Sequence, residues 1–245
     1  MRRLGLSDTS QSWESLKANH LYGDLIEFKN VFPEAVPRKS PKEKSTRHEI
    51  DLRSSSKYCV MKVCPLPREH VLEIDKFFAD RLAADHVMES TSPRSSLNFW
   101  VRKASGGWRI VHAFNKFNSA TVPAETPIPR SGVPIDGMVK STIPFSQDLM
   151  NGFYEILMRE WGIPYTTVSN LSGMLREWLV MQQRLSNAPA TSNRYAAILL
   201  RSVQAFAPSY FDDVFVHSPA IDVQTEVKVH QLHVRTVLAL KREHN

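Results

Sequence analysis

Cysteine is nearly absent from this chain: its 245 residues include two, Cys59 and Cys64. That excludes a disulfide framework and any cysteine-rich zinc site, and it suits a reducing compartment. Long apolar runs are missing too. No stretch approaches the roughly 20 residues that a membrane-spanning helix requires. The basic start Met1-Arg2-Arg3-Leu4-Gly5 leads into no apolar segment of a secretory signal. The expected location is therefore intracellular, cytoplasmic or nuclear, and no membrane partner is expected. Glycine is scarce, with nine residues. None of them forms a phosphate-binding loop before a helix or a Gly-x-Ser-x-Gly elbow. The nine histidines show no zinc spacing. His230 and His233 lie one helical turn apart without further donors, which reads as a solvated helix face.

What remains is an ordinary soluble composition with a basic tilt. The hydrophobic fraction is 42%, near that of a globular protein. The length suffices for one large domain or two small ones. The formal net charge is +6 and the isoelectric point about 9.4, a mild bias toward polyanions. Much of the excess lies between Arg38 and Arg53.

Along the chain, residues 1–19 are polar and aperiodic and read as poorly ordered. Leu21 to Phe32 carries spaced apolar residues, a short helix ended by Pro33. Residues 33–46 are a linker by composition, with Pro33, Pro37 and Pro41 among Lys and Arg. His48-Glu49-Ile50-Asp51-Leu52 alternates like a strand. Pro67 opens an amphipathic helix whose stripe is Val71, Ile74, Phe77, Phe78 and Leu82. Asn98 to Val101 and Trp108 to Val111 read as a hairpin turned at Gly106-Gly107 and flanked by basic residues. Pro123 to Pro134 is a proline-rich connector. A β-like run ends near Asp148, and Trp178 to Met181 is a further strand. Asn187 is placed to cap a helix with Pro189 in its first turn. A last helix covers about 222–243.

The most informative stretch is Ser209-Tyr210-Phe211-Asp212-Asp213-Val214-Phe215-Val216. Two adjacent carboxylates sit between β-forming residues, so Asp212-Asp213 is expected at a hairpin turn. Alone, this is either a solvated tip or a cation site built from hard oxygen donors. Asp148, at the end of a run of similar character, supplies a third carboxylate.

Taken in order, these motifs resemble the polymerase region of a reverse transcriptase, with the nearest likeness to gypsy-type LTR retrotransposon polyproteins. Tyr210-Phe211-Asp212-Asp213 is similar to the Tyr-x-Asp-Asp box. Asp148-Leu149-Met150-Asn151-Gly152-Phe153 is similar to the first catalytic motif. Leu185-Ser186-Asn187-Ala188-Pro189-Ala190-Thr191, Gly106-Gly107-Trp108-Arg109, Asn118 and Thr126-Pro127-Ile128-Pro129-Arg130 match further segments in the same order. The resemblance covers about Leu21 to the C-terminus.

It implies an α+β fold, a polymerase palm of antiparallel sheet backed by helices, with a fingers lobe. No thumb, primer grip, RNase H or integrase segment is visible. The implied boundaries are 1–46 for an N-terminal extension and linker, 47–122 and 156–187 for the fingers, and 123–155 and 188–245 for the palm and C-terminal helix. The implied activity is RNA-directed DNA synthesis, moving a nucleotide from a dNTP to a primer 3′-hydroxyl on an RNA or DNA template. Two Mg²⁺ ions, or Mn²⁺ in their place, would be held by Asp148, Asp212, Asp213 and the Leu149 carbonyl. Lys103 and Arg109 are the implied triphosphate grips, Phe153 the residue under the sugar, and Gln183 a nucleotide contact. Tyr210 and Phe211 would lie at the primer end.

The chain departs from the family pattern at several points. Arg184 stands where a glycine is usual, and Gln147 and Pro144 occupy a strand that is usually apolar. Ala113-Phe114-Asn115 replaces Asp-Tyr-Arg. The alternative reading is accordingly a truncated, catalytically dead retrotransposon remnant with at most weak nucleic-acid binding.

Overall fold

The computed structural model describes residues 13–32, 39–43, 46–54, 68–102, 108–125, 138, 141, 143, 145–149, 152–169, 173–218 and 223–244. Pro67, Gly106-Gly107, Thr126 to Arg130, Pro144, and the two cysteines lie outside them. The strands are β1 (Val87–Glu89), β2 (Ser96–Arg102), β3 (Trp108–His112), β4 (Phe145–Asp148), β5 (Val168–Ser169), β6 (Leu175–Trp178), β7 (Ser209–Tyr210) and β8 (Asp213–Val216). The chain forms two compact units. One comprises residues 1–36, 126–152 and 192–245, and the other 37–125 and 153–191. The architecture is α+β, as the resemblance implied.

The first unit is built on a three-stranded antiparallel sheet in the order β4-β8-β7. Alternation decides its faces. Phe145 lies opposite Val216 and Gln147 opposite Val214. Phe145, Val214 and Val216 are all buried in one core with Leu200, Val203, Val234, Val237 and Leu238. The helix Val223–His244 covers this core. Its buried positions Glu226, His230, Val234, Val237 and Leu238 recur at helical spacing. His230 is thus fully buried and bonded to the Ser218 hydroxyl at 3.2 Å. The solvated face expected for it is not what forms, because the helix packs inward on that side.

The N-terminal segment belongs to the same core. Trp13–Leu16 forms a 3₁₀ turn where no order was expected, and the short helix is Tyr22–Glu27. Leu16, Leu21, Leu25, Phe28 and Val31 are buried. Arg235 of the C-terminal helix bonds Asp24 at 2.7 Å and Glu27 at 2.7 and 2.9 Å, holding the Glu27 carboxyl below its usual range. Arg242 lies over the Phe28 ring at 4.5 Å.

The second unit carries a five-stranded sheet in the order β1-β6-β5-β2-β3. The expected hairpin is β2 with β3, Phe99 opposite Val111. The amphipathic helix is Arg68–Ala83, and it buries Ile74 and Phe78 while Leu82 stays exposed. Trp178 is fully buried, with the Phe77, Phe78, His112 and Tyr154 rings around it at 5.3–6.2 Å. The strand expected at 178–181 falls earlier, at Leu175–Trp178. His48 to Leu52 alternates in burial as expected, but it makes isolated bridges to Met158 and Thr121 instead of a strand. Asn187 stands at the start of the helix Ala188–Leu199, and its carbonyl accepts the Thr191 amide at 3.1 Å. Its carboxamide bonds Val122 O and Ala124 N at 2.9 and 3.0 Å.

Gln147 is 1% exposed, and neither its amide nitrogen nor its oxygen has a partner among the described residues. Gln147→Leu should raise unfolding free energy by about 1–3 kcal/mol in urea titration; a destabilised variant would show that the amide is satisfied. Burial also pushes His48 and His230 down to about 4 and His112 down to about 3, with Arg184 adding to the last. These rings are neutral in the fold, whereas the unfolded chain protonates them below about 6.5. Their contribution is complete above that pH and is lost as pH falls through the window toward 4. The urea midpoint should therefore drop steadily between pH 7 and pH 5, and a flat profile would contradict this.

Candidate active site

The site is assembled where β4 and β7 end and β8 begins. Antiparallel pairing sets Asp148 directly opposite Asp213, and Tyr210 opposite Asp213 on the other side. The hairpin loop is therefore Phe211-Asp212, one residue earlier than the Asp212-Asp213 turn expected from sequence, and Asp213 already opens β8. Phe211 has φ +52°, whereas Asp212 does not share the positive φ. A positive φ at the first of two central residues is the type II′ pattern, which matches the twist of the flanking strands. Glycine is the usual occupant of that position. Phenylalanine held there is strained by roughly 1–2 kcal/mol.

Several bonds hold the loop. The Leu149 amide donates to the Asp212 carbonyl at 2.6 Å, tying the end of β4 to the turn. The Phe211 amide donates to Asn193 Oδ1 at 2.9 Å. The Ser192 hydroxyl donates to Asp212 Oδ1 at 3.3 Å. The Tyr210 and Phe211 rings meet edge to face at 4.6 Å. Burial pushes the Asp212 carboxyl up, the Ser192 bond opposes this, and Asp213 adds to it. The Leu149 carbonyl accepts from the Gly152 amide at 3.0 Å, which leaves one lone pair unused by that bond.

Of the residues singled out from sequence, Asp148, Leu149, Tyr210, Phe211, Asp212 and Asp213 are brought together in the first unit. The Asp148 side chain lies outside the described residues. Among the described residues no group of three or more His, Cys, Asp or Glu is arranged to hold a metal. Arg109, Phe153 and Gln183 belong to the second unit. Arg109 is exposed on β3, Phe153 is half-buried in the turn Gly152–Glu155, and Gln183 is exposed in a loop. Lys103 lies outside the described residues. Ser192 and Asn193 were missed: nothing in their spacing announces bonds to a turn nearly 20 positions away.

Asn118, which the motif order picked out, has a structural task. Its Nδ2 donates to the Arg184 carbonyl at 2.7 Å, and its Oδ1 accepts from the Ser186 amide at 3.0 Å. The loop so braced puts Arg184 at φ +72°, in the region that glycine visits freely and a residue with a Cβ does not. The departure from glycine therefore falls where the backbone asks for one.

No model of an established protein family matches the chain. The chain is 32% identical over 163 residues to the retrovirus-related Pol polyprotein from transposon 297 of Drosophila melanogaster, covering 64% of this chain and 15% of that protein. It is 28% identical over 223 residues to the Pol polyprotein from transposon opus of the same fly, covering 88% and 21%. The chain thus spans a fifth or less, roughly, of these relatives' length. Its structure superposes on the protease-reverse transcriptase of prototype foamy virus with a TM-score of 0.76 at 18% identity, over 97% of this chain and 30% of that one. The foamy viral protein solved in complex with an RNA/DNA hybrid gives 0.71 at 18% identity, over 90% and 29%. The fold is that of a reverse transcriptase polymerase domain. In sequence the chain is similar to parts of the Pol polyproteins of retrotransposons and retroviruses.

Arg184→Gly should stabilise the protein by about 0.5–1 kcal/mol, the left-handed strain being larger than the entropy that glycine adds to the unfolded chain. Urea denaturation measures it, and a loss of stability would mean that the Arg184 side chain holds the loop.

Proposed function

We propose that the chain is the fingers and palm of a gypsy-type element's RNA-directed DNA polymerase, acting on a template-primer and a dNTP. The observation that carries this reading is the strand register that sets Asp148 opposite Asp213 with Asp212 in the loop between. Asp212 is half-buried beside Asp213, which adds to the upward push on its carboxyl. Such an arrangement suits a ligand of opposite charge.

Oxygen donors of this kind fit Mg²⁺. Asp148, Asp212, Asp213 and the Leu149 carbonyl would hold two such ions, with Mn²⁺ able to replace them. When bound, the pair stabilises the attacking and leaving oxygens of an in-line displacement at phosphorus. The chain's own residues do the rest. Tyr210 and Phe211 flank the primer end. Lys103 and Arg109 bind the triphosphate through charge-assisted hydrogen bonds. Phe153 sits under the sugar and selects against a 2′-hydroxyl, and Gln183 contacts the nucleotide. The intact triad and its bonded turn favour this reading over a remnant without chemistry.

Primer extension on an RNA template with Mg²⁺ tests it. The wild-type chain should incorporate dNTPs, and Asp212→Asn should fall to background. The same variant should unfold at an equal or higher temperature, because it removes a half-buried charge while keeping an acceptor for Ser192. Equal incorporation by the two proteins would end the polymerase reading.

A further inference from the structure

The helix Ala188–Leu199 presents two consecutive polar residues, Ser192 and Asn193, and they are 6% and 8% exposed. Both spend their side chains on the Phe211-Asp212 loop and not on their own helix. Side chains of this kind are neutral or unfavourable in helix interiors and bury poorly without partners. Their placement therefore points to the loop as the reason for their presence.

The carboxamide's orientation is dictated by chemistry. Asn193 Oδ1 accepts the Phe211 amide hydrogen at 2.9 Å. The opposite flip would face two donors toward each other. In the orientation observed, Asn193 Nδ2 is buried without a partner among the described residues, at a cost of about 1–3 kcal/mol. The residue keeps that cost and keeps the bond. The bond falls on the amide of the one loop residue with a positive φ, the conformation a phenylalanine adopts least willingly.

We propose that Asn193 and Ser192 are positioning residues for the Asp212 carboxylate. Asn193 locks Phe211 in its left-handed conformation, which fixes where Asp212 begins, and Ser192 fixes one of its oxygens. The proposal rests on the polymerase reading of the same loop. Outer residues that orient ligating groups typically govern 10–100-fold in metal affinity or activity.

Amide hydrogen exchange and primer extension test this together. In Asn193→Ala, exchange at the Phe211 amide of the nucleic-acid-free protein should rise about tenfold or more, and the incorporation rate should fall about 10–100-fold. In Ser192→Ala, the Mn²⁺ concentration for half-maximal extension should rise about tenfold, and Ser192→Thr should restore it. The Leu149 amide, bonded to the Asp212 carbonyl, should also exchange faster in Asn193→Ala, and because glycine reaches φ > 0 unaided, adding Phe211→Gly should restore its protection. Unchanged Phe211 exchange in Asn193→Ala, or no restored Leu149 protection on adding Phe211→Gly, overturns the proposal. If the wild type extends primers no better than Asp212→Asn, the polymerase reading fails separately, and the exchange comparison still decides whether Asn193 holds the turn.

Discussion

The pairing of β4 with β8 is the constraint on which the first unit depends. One face of this pair is apolar and buried: Phe145, Val214 and Val216. Strand side chains alternate, so a slip of one residue would turn that whole set outward. The core therefore fixes the register, and the register sets Asp148 against Asp213. Hydrophobic burial thereby decides which residues meet at the end of the strand pair. Gln147 shows how strongly: the register carries even an unpaired amide into the core opposite Val214.

Of the three left-handed residues other than glycine among the described ones, Asp85, Arg184 and Phe211, the last two are each answered by an asparagine. Asn193 accepts the Phe211 amide hydrogen, and Asn118 donates to the Arg184 carbonyl. In both cases a carboxamide distant in sequence supplies what local propensity does not. Strained backbone of this kind persists only where surrounding structure over-determines it, and it gathers at functional sites.

Much of this was legible in the residues. The alternation around Asp212-Asp213, the basic hairpin, the helix stripe at Ile74 and Phe78, and the order of the motifs all led to the fold that forms. These are local signals, and local periodicity survives tertiary packing. What was not legible depends on partners far away in sequence. Asn187 looks like a helix cap, but its carboxamide is claimed by Val122 and Ala124. His230 looks solvated until the helix packs it against Ser218. Trp13 to Leu16 looks poorly ordered because the apolar partners of Leu16 lie on the C-terminal helix and the sheet. The turn shifted by one residue because cross-strand register, and not aspartate's turn preference, decides where a two-residue loop begins.

That last packing has a consequence for how the protein is made. Leu25, Phe28 and Val31 share a core with Val234, Val237 and Leu238, so an earlier segment waits for a much later one. At ordinary ribosome speeds, about 200 intervening residues take about 10–40 s to appear. For that interval the early apolar residues lack the part of their core that the C-terminal helix supplies. The second unit's first stretch, 37–125, emerges in the meantime from the middle of an unfinished first unit. A ribosome-bound chain stalled before Val223 would leave Phe28 without the Arg235 and Arg242 guanidinium groups that lie over its ring.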